Sequence, residues 1–161
     1  MRISFGKFLI LIVMSIFGLW SSGMVLFLFY TLHNPLPFCQ VGSQSSGIAI
    51  NCYKVLNSSY DSIFGVPLDV LGAVYFIINL ALIYIVSFGK NKYYRRAFIA
   101  LFGWRFFGLF LVPYLVFLEI FVLKAICVYC TIMHVSIIVD FIIITYFLFY
   151  KKSLKSFISK T

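Results

Sequence analysis

Residues 127 to 150 read CVYCTIMHVSIIVDFIIITYFLFY. Beyond the two cysteines the run is almost continuously apolar, with His134, Ser136 and Asp140 among its few polar members. At 1.5 Å per residue it extends ~36 Å as a helix, enough to cross a hydrocarbon core of about 30 Å. A surface helix of a soluble protein would instead show a polar face. The stretch is a membrane helix that carries two thiols at one end.

Three further stretches satisfy the same requirement of roughly 20 mostly apolar residues: about 8–32, 67–88 and 97–119. With 63% hydrophobic and 11% charged residues in 161, too little polar surface is left to cover a soluble globule. The expected fold is an all-α integral membrane protein, a four-transmembrane-helix bundle, with residues 1–161 as a single domain and the longest connection, about 33–66, carrying a cysteine pair. The net charge of +9 would fit a nucleic-acid partner only if the basic residues shared a solvated face. They lie instead at Arg2 and Lys7, at Lys90, Lys92, Arg95 and Arg96, and at Lys151, Lys152, Lys155 and Lys160, whereas the connections 33–66 and 120–126 hold only Lys54 and Lys124. Basic residues stay on the cytoplasmic side, so both termini are expected inside and the 33–66 loop outside. Arg2 and Lys7 before an apolar run also suit a signal peptide, but the run continues through Met24 to Tyr30, which favours a retained span.

In that topology Cys39, Cys52, Cys127 and Cys130 all lie on the extracytoplasmic side, where disulfides persist. Their spacing does not suit a four-thiolate zinc site, which draws on two short-spaced pairs, so no metal is expected. A structural disulfide is a natural reading of Cys39 and Cys52 alone. Two residues between cysteines at a helix start is a redox-active spacing, because the unsatisfied N–H groups of the first turn stabilise a thiolate. Cys127, Cys130 and His134 stand at i, i+3 and i+7, on one helix face. His134 therefore lies below the CxxC toward the bilayer, placed either to bond a neighbouring helix or to donate to the carbonyl of a lipid-dissolved redox partner.

The order of these features, from CQVGSQSSGIAINCYKVLNSSYDSIFGVPLDVLG (39–72) to CVYCTIMH (127–134), resembles the vitamin K epoxide reductase family. That family places a loop cysteine pair first, a Ser or Thr after the second cysteine, IFG-x-P at the start of the next helix and CxxC at the last helix. The resemblance covers about residues 30 to 150. It implies a quinone-linked thiol oxidoreductase in which Cys39 exchanges with a thioredoxin-like protein, Cys52 passes electrons to Cys127, and Cys130 faces the quinone, a ubiquinone, menaquinone or relative. Ser58, Asp61 and His134 fall where the family binds the quinone. Vertebrate members have Asn and Tyr at the positions of Asp61 and His134, so the two departures favour the prokaryotic branch, whose members reoxidise a DsbA-like protein in support of disulfide formation. The chain ends at Thr161 on the side expected to be cytoplasmic, so the thiol partner is expected to be a separate polypeptide and the location a plasma membrane, or the ER membrane in a eukaryote. The DsbB type is the near rival, but its CxxC comes in the first outer loop and its spread pair in the second. The remaining alternatives are a vitamin K epoxide reductase proper and a non-enzymatic scaffold or transporter stapled by disulfides.

Arg105 and Asp140 are ionisable groups within spans, each costing about 2.5–3.5 kcal/mol on insertion scales. They lie at similar depth, counted from Arg96 and Tyr150, and are expected to pair. Asp69, Glu119 and Lys124 are read as interfacial residues, and Pro67 as part of the first turn of the second span.

Overall fold

The computed structural model describes residues 5–34, 36–41, 49–63, 65–88 and 91–158. Arg2, Lys90 and Lys160 of the basic clusters and Phe64 of the IFG motif lie outside these. Among the described residues four helices are long and apolar enough to cross a membrane, over Phe8–Thr31, Leu68–Phe88, Arg96–Leu123 and Val128–Tyr146, within one or two residues of the expected limits at most ends. The first span is α1, Phe5–Met24, continued by a π-helical stretch Val25–Thr31. A short helix α2, Cys52–Leu56, precedes the other three: α3 Leu68–Phe88, α4 Asn91–Phe117 and α5 Val128–Ile158. Like α1, α4 ends in a π-helical stretch, Leu118–Leu123. Such stretches are rare and recur at functional sites, and here both lie at the cysteine-bearing end.

The four spans pack in a ring, α1 against α3 and α5, and α4 against the same two helices. Between apolar helices in lipid the attraction is close contact rather than water exclusion, and small residues permit that approach. Gly18 of α1 receives the ring of Phe76, Gly108 of α4 receives the phenol of Tyr75, and a Cβ at Gly72 would stand 3.2 Å from Met133 Sδ and 3.3 Å from Ser22 Oγ.

Two apolar clusters mark the ends of the bundle. One, with Leu11, Ile83, Val86, Leu101 and Ile144, lies at the end away from the cysteines. Directly above it is a buried polar layer, each member one helical turn from a residue of that cluster: Ser15, Asn79, Arg105 and Asp140. Arg105 Nη2 stands 3.6 Å from Asp140 Oδ2, and its Nη1 donates to the Asp140 carbonyl at 3.1 Å. Asn79 accepts from Arg105 Nε at 3.0 Å and donates to Asp140 at 2.9 Å, while Ser15 donates to Asp140 at 3.1 Å. The expected ion pair is present, and it is held by two neutral side chains that the charge pattern did not point to.

The other cluster gathers Val25, Leu36, Val55, Leu56, Ala125 and Tyr129 around Cys39, Cys52 and Cys127. Small strands, not anticipated in an all-helical reading, fix its loop. β1, Gln40–Val41, pairs antiparallel with β2, Ala49–Asn51. β2 in turn pairs in parallel with β5, Ala125–Ile126, through Ala49 with Ala125 and Ile50 with Ile126. A second pair, β3 Ser62–Ile63 and β4 Val66–Pro67, forms a two-residue hairpin in which Gly65 has φ +80°, the conformation such turns require. Pro67 therefore ends a strand and precedes α3, rather than lying in its first turn.

Candidate functional site

The loop cysteines form a disulfide, Cys39–Cys52, with Cα atoms 5.3 Å apart. Asn51, the last residue of β2, caps α2 by accepting from the Lys54 N–H at 3.0 Å, so Cys52 is the first residue of a helix whose entry is anchored to the sheet. On the other strand of that sheet Ile126 leads into Cys127. The β2–β5 pairing thus brings Cys52 and Cys127, 75 positions apart, into one buried cluster in which neither has measurable exposure.

Cys127 and Cys130 are free thiols. The Cys127 carbonyl accepts from the Thr131 N–H at 2.9 Å, which makes Cys127 the residue before the first turn of α5 and puts Cys130 within that turn. The two thiols lie within hydrogen-bond reach of each other, but their other neighbours differ. Cys127 packs with Cys52, whereas Cys130 lines a cavity of about 430 Å³ bounded by α3, α4, α5 and the segment after α2. The volume lies within the usual range for small-molecule sites.

Ser58, Asp61 and His134, the three residues expected to meet a quinone, all line this cavity together with Cys130. Ser58 Oγ is buried without a hydrogen-bond partner. Asp61 is fixed from three sides: its N–H donates to the Ser58 carbonyl, its own carbonyl accepts from Leu68 at the start of α3, and its carboxylate accepts from the Tyr30 hydroxyl. Burial pushes the Asp61 carboxyl up from 3.8 to about 6, against the pull of the Tyr30 hydrogen bond. His134 is 7% exposed, one turn deeper than Cys130 on the same wall, as the i, i+3, i+7 spacing required.

Three residues at this site escaped the sequence reading. Tyr30 arrives from the π-helical end of α1 and holds Asp61. Glu119 and Asp69, read as interfacial, are instead buried at 7% and 1% exposure and line the cavity. Glu119 is within hydrogen-bond reach of the Cys127 N–H and the Cys130 thiol. It is set there by the π-helical end of α4, which closes at Lys124 in a left-handed conformation, φ 48°, with its N–H on the Glu119 carbonyl. The helix start expected to favour a thiolate at Cys130 therefore faces two acidic side chains. An acidic residue one turn from a span's end looks the same in sequence whether it points to water or inward. Among the described residues no group of three or more His, Cys, Asp or Glu could hold a metal ion.

The remaining wall is apolar and aromatic, including Tyr75 stacked on Trp104 at 5.4 Å between ring centres. An apolar lining with a few polar groups, the orphaned Ser58 hydroxyl among them, suits a largely apolar small molecule with polar atoms at its edge. No curated protein matches the chain. Residues 9–145 match the Vitamin K epoxide reductase family, a stretch that reaches to within one residue of the outer limits of the four membrane helices and includes all four cysteines, and the chain belongs to that family.

Proposed function

We propose that this member of the vitamin K epoxide reductase family, whose members are oxidoreductases, reoxidises a thioredoxin-like protein and passes the electrons through its two cysteine pairs to a membrane quinone. The observation that carries this reading is the setting of the CxxC between two neighbours: Cys127 is packed with Cys52, and Cys130, within reach of Cys127, lines the cavity. One sulfur faces the electron source and the other the sink.

The route begins with a partner thiolate attacking Cys39 Sγ, which forms a mixed disulfide and releases Cys52; the partner's second thiol then resolves it, leaving Cys39 and Cys52 reduced. Cys52 thiolate next attacks Cys127 of an oxidised Cys127–Cys130 pair. Cys39 closes the loop disulfide again, and Cys127 and Cys130 are left as thiols. That is the state described: a disulfide at Cys39–Cys52 and thiols at Cys127 and Cys130. A quinone supplies an acceptor for two electrons and two protons. Cys130 delivers the electron pair and Cys127 closes the disulfide on it, while Ser58, Asp61 and His134 orient the acceptor's oxygens. The apolar wall keeps water from the exposed thiol.

The positive-inside pattern supports an extracytoplasmic cysteine end, the side on which exported proteins acquire their disulfides. Asp61 and His134 support a respiratory-type quinone, with thiol oxidation rather than epoxide reduction as the physiological role. The reading is tested by quinone reduction with the purified protein in detergent, fed by a reduced thioredoxin-like protein. Wild type is expected to turn over, and Cys39→Ala and Cys130→Ser to fail. If Cys130→Ser consumes quinone at the wild-type rate, the relay is wrong; if no form consumes quinone while the cysteines stay oxidised, the disulfides are structural.

A further inference from the structure

Asp69 takes no part in the relay above, yet it is the least accommodated group in the cavity. It stands in the first turn of α3 and is 1% exposed, and neither carboxylate oxygen has a protein partner. The other two aspartates are satisfied differently, Asp61 by Tyr30 and Asp140 by Ser15, Asn79 and Arg105. Its backbone is fixed, because Ser22 Oγ of α1 donates to the Asp69 carbonyl. One turn on, Gly72 lines the same wall, packed closely against Met133 and Ser22. A buried carboxyl without partners costs several kcal/mol unless something in the cavity meets it.

Its surroundings are those of a proton-handling site. Tyr30 from α1, Asp61 from the segment before α3 and Cys130 from α5 all interact with it electrostatically. Glu119 from α4 lies at the same thiol, and His134 lines the wall one turn deeper.

We infer that Asp69 is the proton-exchanging anchor of the cavity: it holds one oxygen of a bound quinone, donating as the acid to the carbonyl and accepting as the carboxylate from the reduced hydroxyl. This rests on the quinone reading of the cavity. In the overall exchange two thiols and one quinone become one disulfide and one hydroquinone. The S–H bonds of Cys127 and Cys130 break, an S–S bond and two O–H bonds form, and the electron pair passes from sulfur to the ring. Asp69 gives its proton to the near oxygen as Cys130 releases its electron pair. Glu119 takes the Cys130 proton and returns it to Asp69, and the Cys127 proton ends on the far oxygen, so the protein's carboxyls finish as they began.

Trp104 lines the cavity, while Trp20 lies on the bundle surface at 52% exposure. A Trp20→Phe background therefore makes Trp104 fluorescence a reporter of binding by a soluble short-chain quinone. Asp69→Asn keeps a donor but cannot exchange a proton. It is expected to bind the quinone within about threefold of the background protein, while stopped-flow reoxidation of the Cys127–Cys130 dithiol slows by at least about 100-fold and loses its pH dependence. Asp69→Ala should weaken binding about tenfold, and Asp69→Glu should recover most of the rate. Thermal melts confirm that each variant is folded. Reoxidation of Asp69→Asn at the background rate and with the same pH profile overturns the proton role, and undiminished binding by Asp69→Ala overturns the anchor. Quenching absent even with Asp69 in place overturns the quinone site, and the inference with it.

Discussion

Cys130 and His134 were legible because a helix repeats: residues three and four apart share a face whatever surrounds them, and the structure finds both on the cavity wall. Glu119 and Asp69 were not, since inward and outward positions at a helix end differ only in what packs against them. Asp61 is the residue here whose titration is open to direct measurement. Its folded-state value, about 6, lies above the ordinary 3.8, so the folded protein holds this proton more tightly than the unfolded chain. The stabilisation linked to it is complete below about 4 and is lost as the pH rises through about 6. Thermal unfolding in detergent should therefore show the melting temperature of wild type, relative to Asp61→Asn, higher at pH 4.5 than at pH 7.5. A constant difference would mean that the carboxyl titrates normally.

At the scale of elements, two short strands position the redox centre. β2 and β5 have only two or three residues each, below the length at which alternation marks a strand, and two membrane spans separate them in the chain. Their pairing makes a specific demand. Ile50→Pro removes an amide from β2 and should slow transfer from Cys52 to Cys127 by about tenfold or more, as small misplacements of reacting groups do. Reoxidation of a chemically reduced Cys127–Cys130 pair by quinone should be unchanged. Equal loss in both half-reactions, followed separately by thiol trapping, would remove the strands from the relay. The helices carry a comparable constraint in Gly108. An added Cβ there meets the Tyr75 hydroxyl, and Gly108→Ala should lower stability by about 1–3 kcal/mol, read as a fall in melting temperature accompanied by a change in Trp104 fluorescence.

Across the whole molecule, the polar layer of Ser15, Asn79, Arg105 and Asp140 ties all four spans together at one depth. Arg105→Ala or Asp140→Ala alone strands a buried charge and should cost about 3–5 kcal/mol, lowering both accumulation in the membrane and melting temperature. The double variant should recover much of that loss, because no unpaired charge remains; additive losses would count against the pair. The positive-inside charge pattern makes a prediction for the whole molecule. In a background without native cysteines, a thiol placed at Phe38 should react with an impermeant maleimide in intact cells, and one at Lys92 only after permeabilisation. The reverse pattern would turn the protein over in the membrane and remove its access to exported substrates.

The sequence by itself determined the number of spans, their limits and the face shared by Cys130 and His134, because these depend on composition and helical repeat, which are local. It also carried the Arg105–Asp140 pair, since two charges at one depth in lipid have few other partners. Only the tertiary structure decided that Cys127 packs with Cys52 while Cys130 lines a cavity, that Tyr30 holds Asp61, and that Asp69 and Glu119 are buried at that cavity. The first follows from a parallel pairing of residues 49–50 with 125–126, Tyr30 and Glu119 lie in two π-helical helix ends, and Asp69 is held by the packing of α3 on α1. The strand pairing and the helix packing are contacts between segments far apart in the chain, which no local pattern of residues encodes.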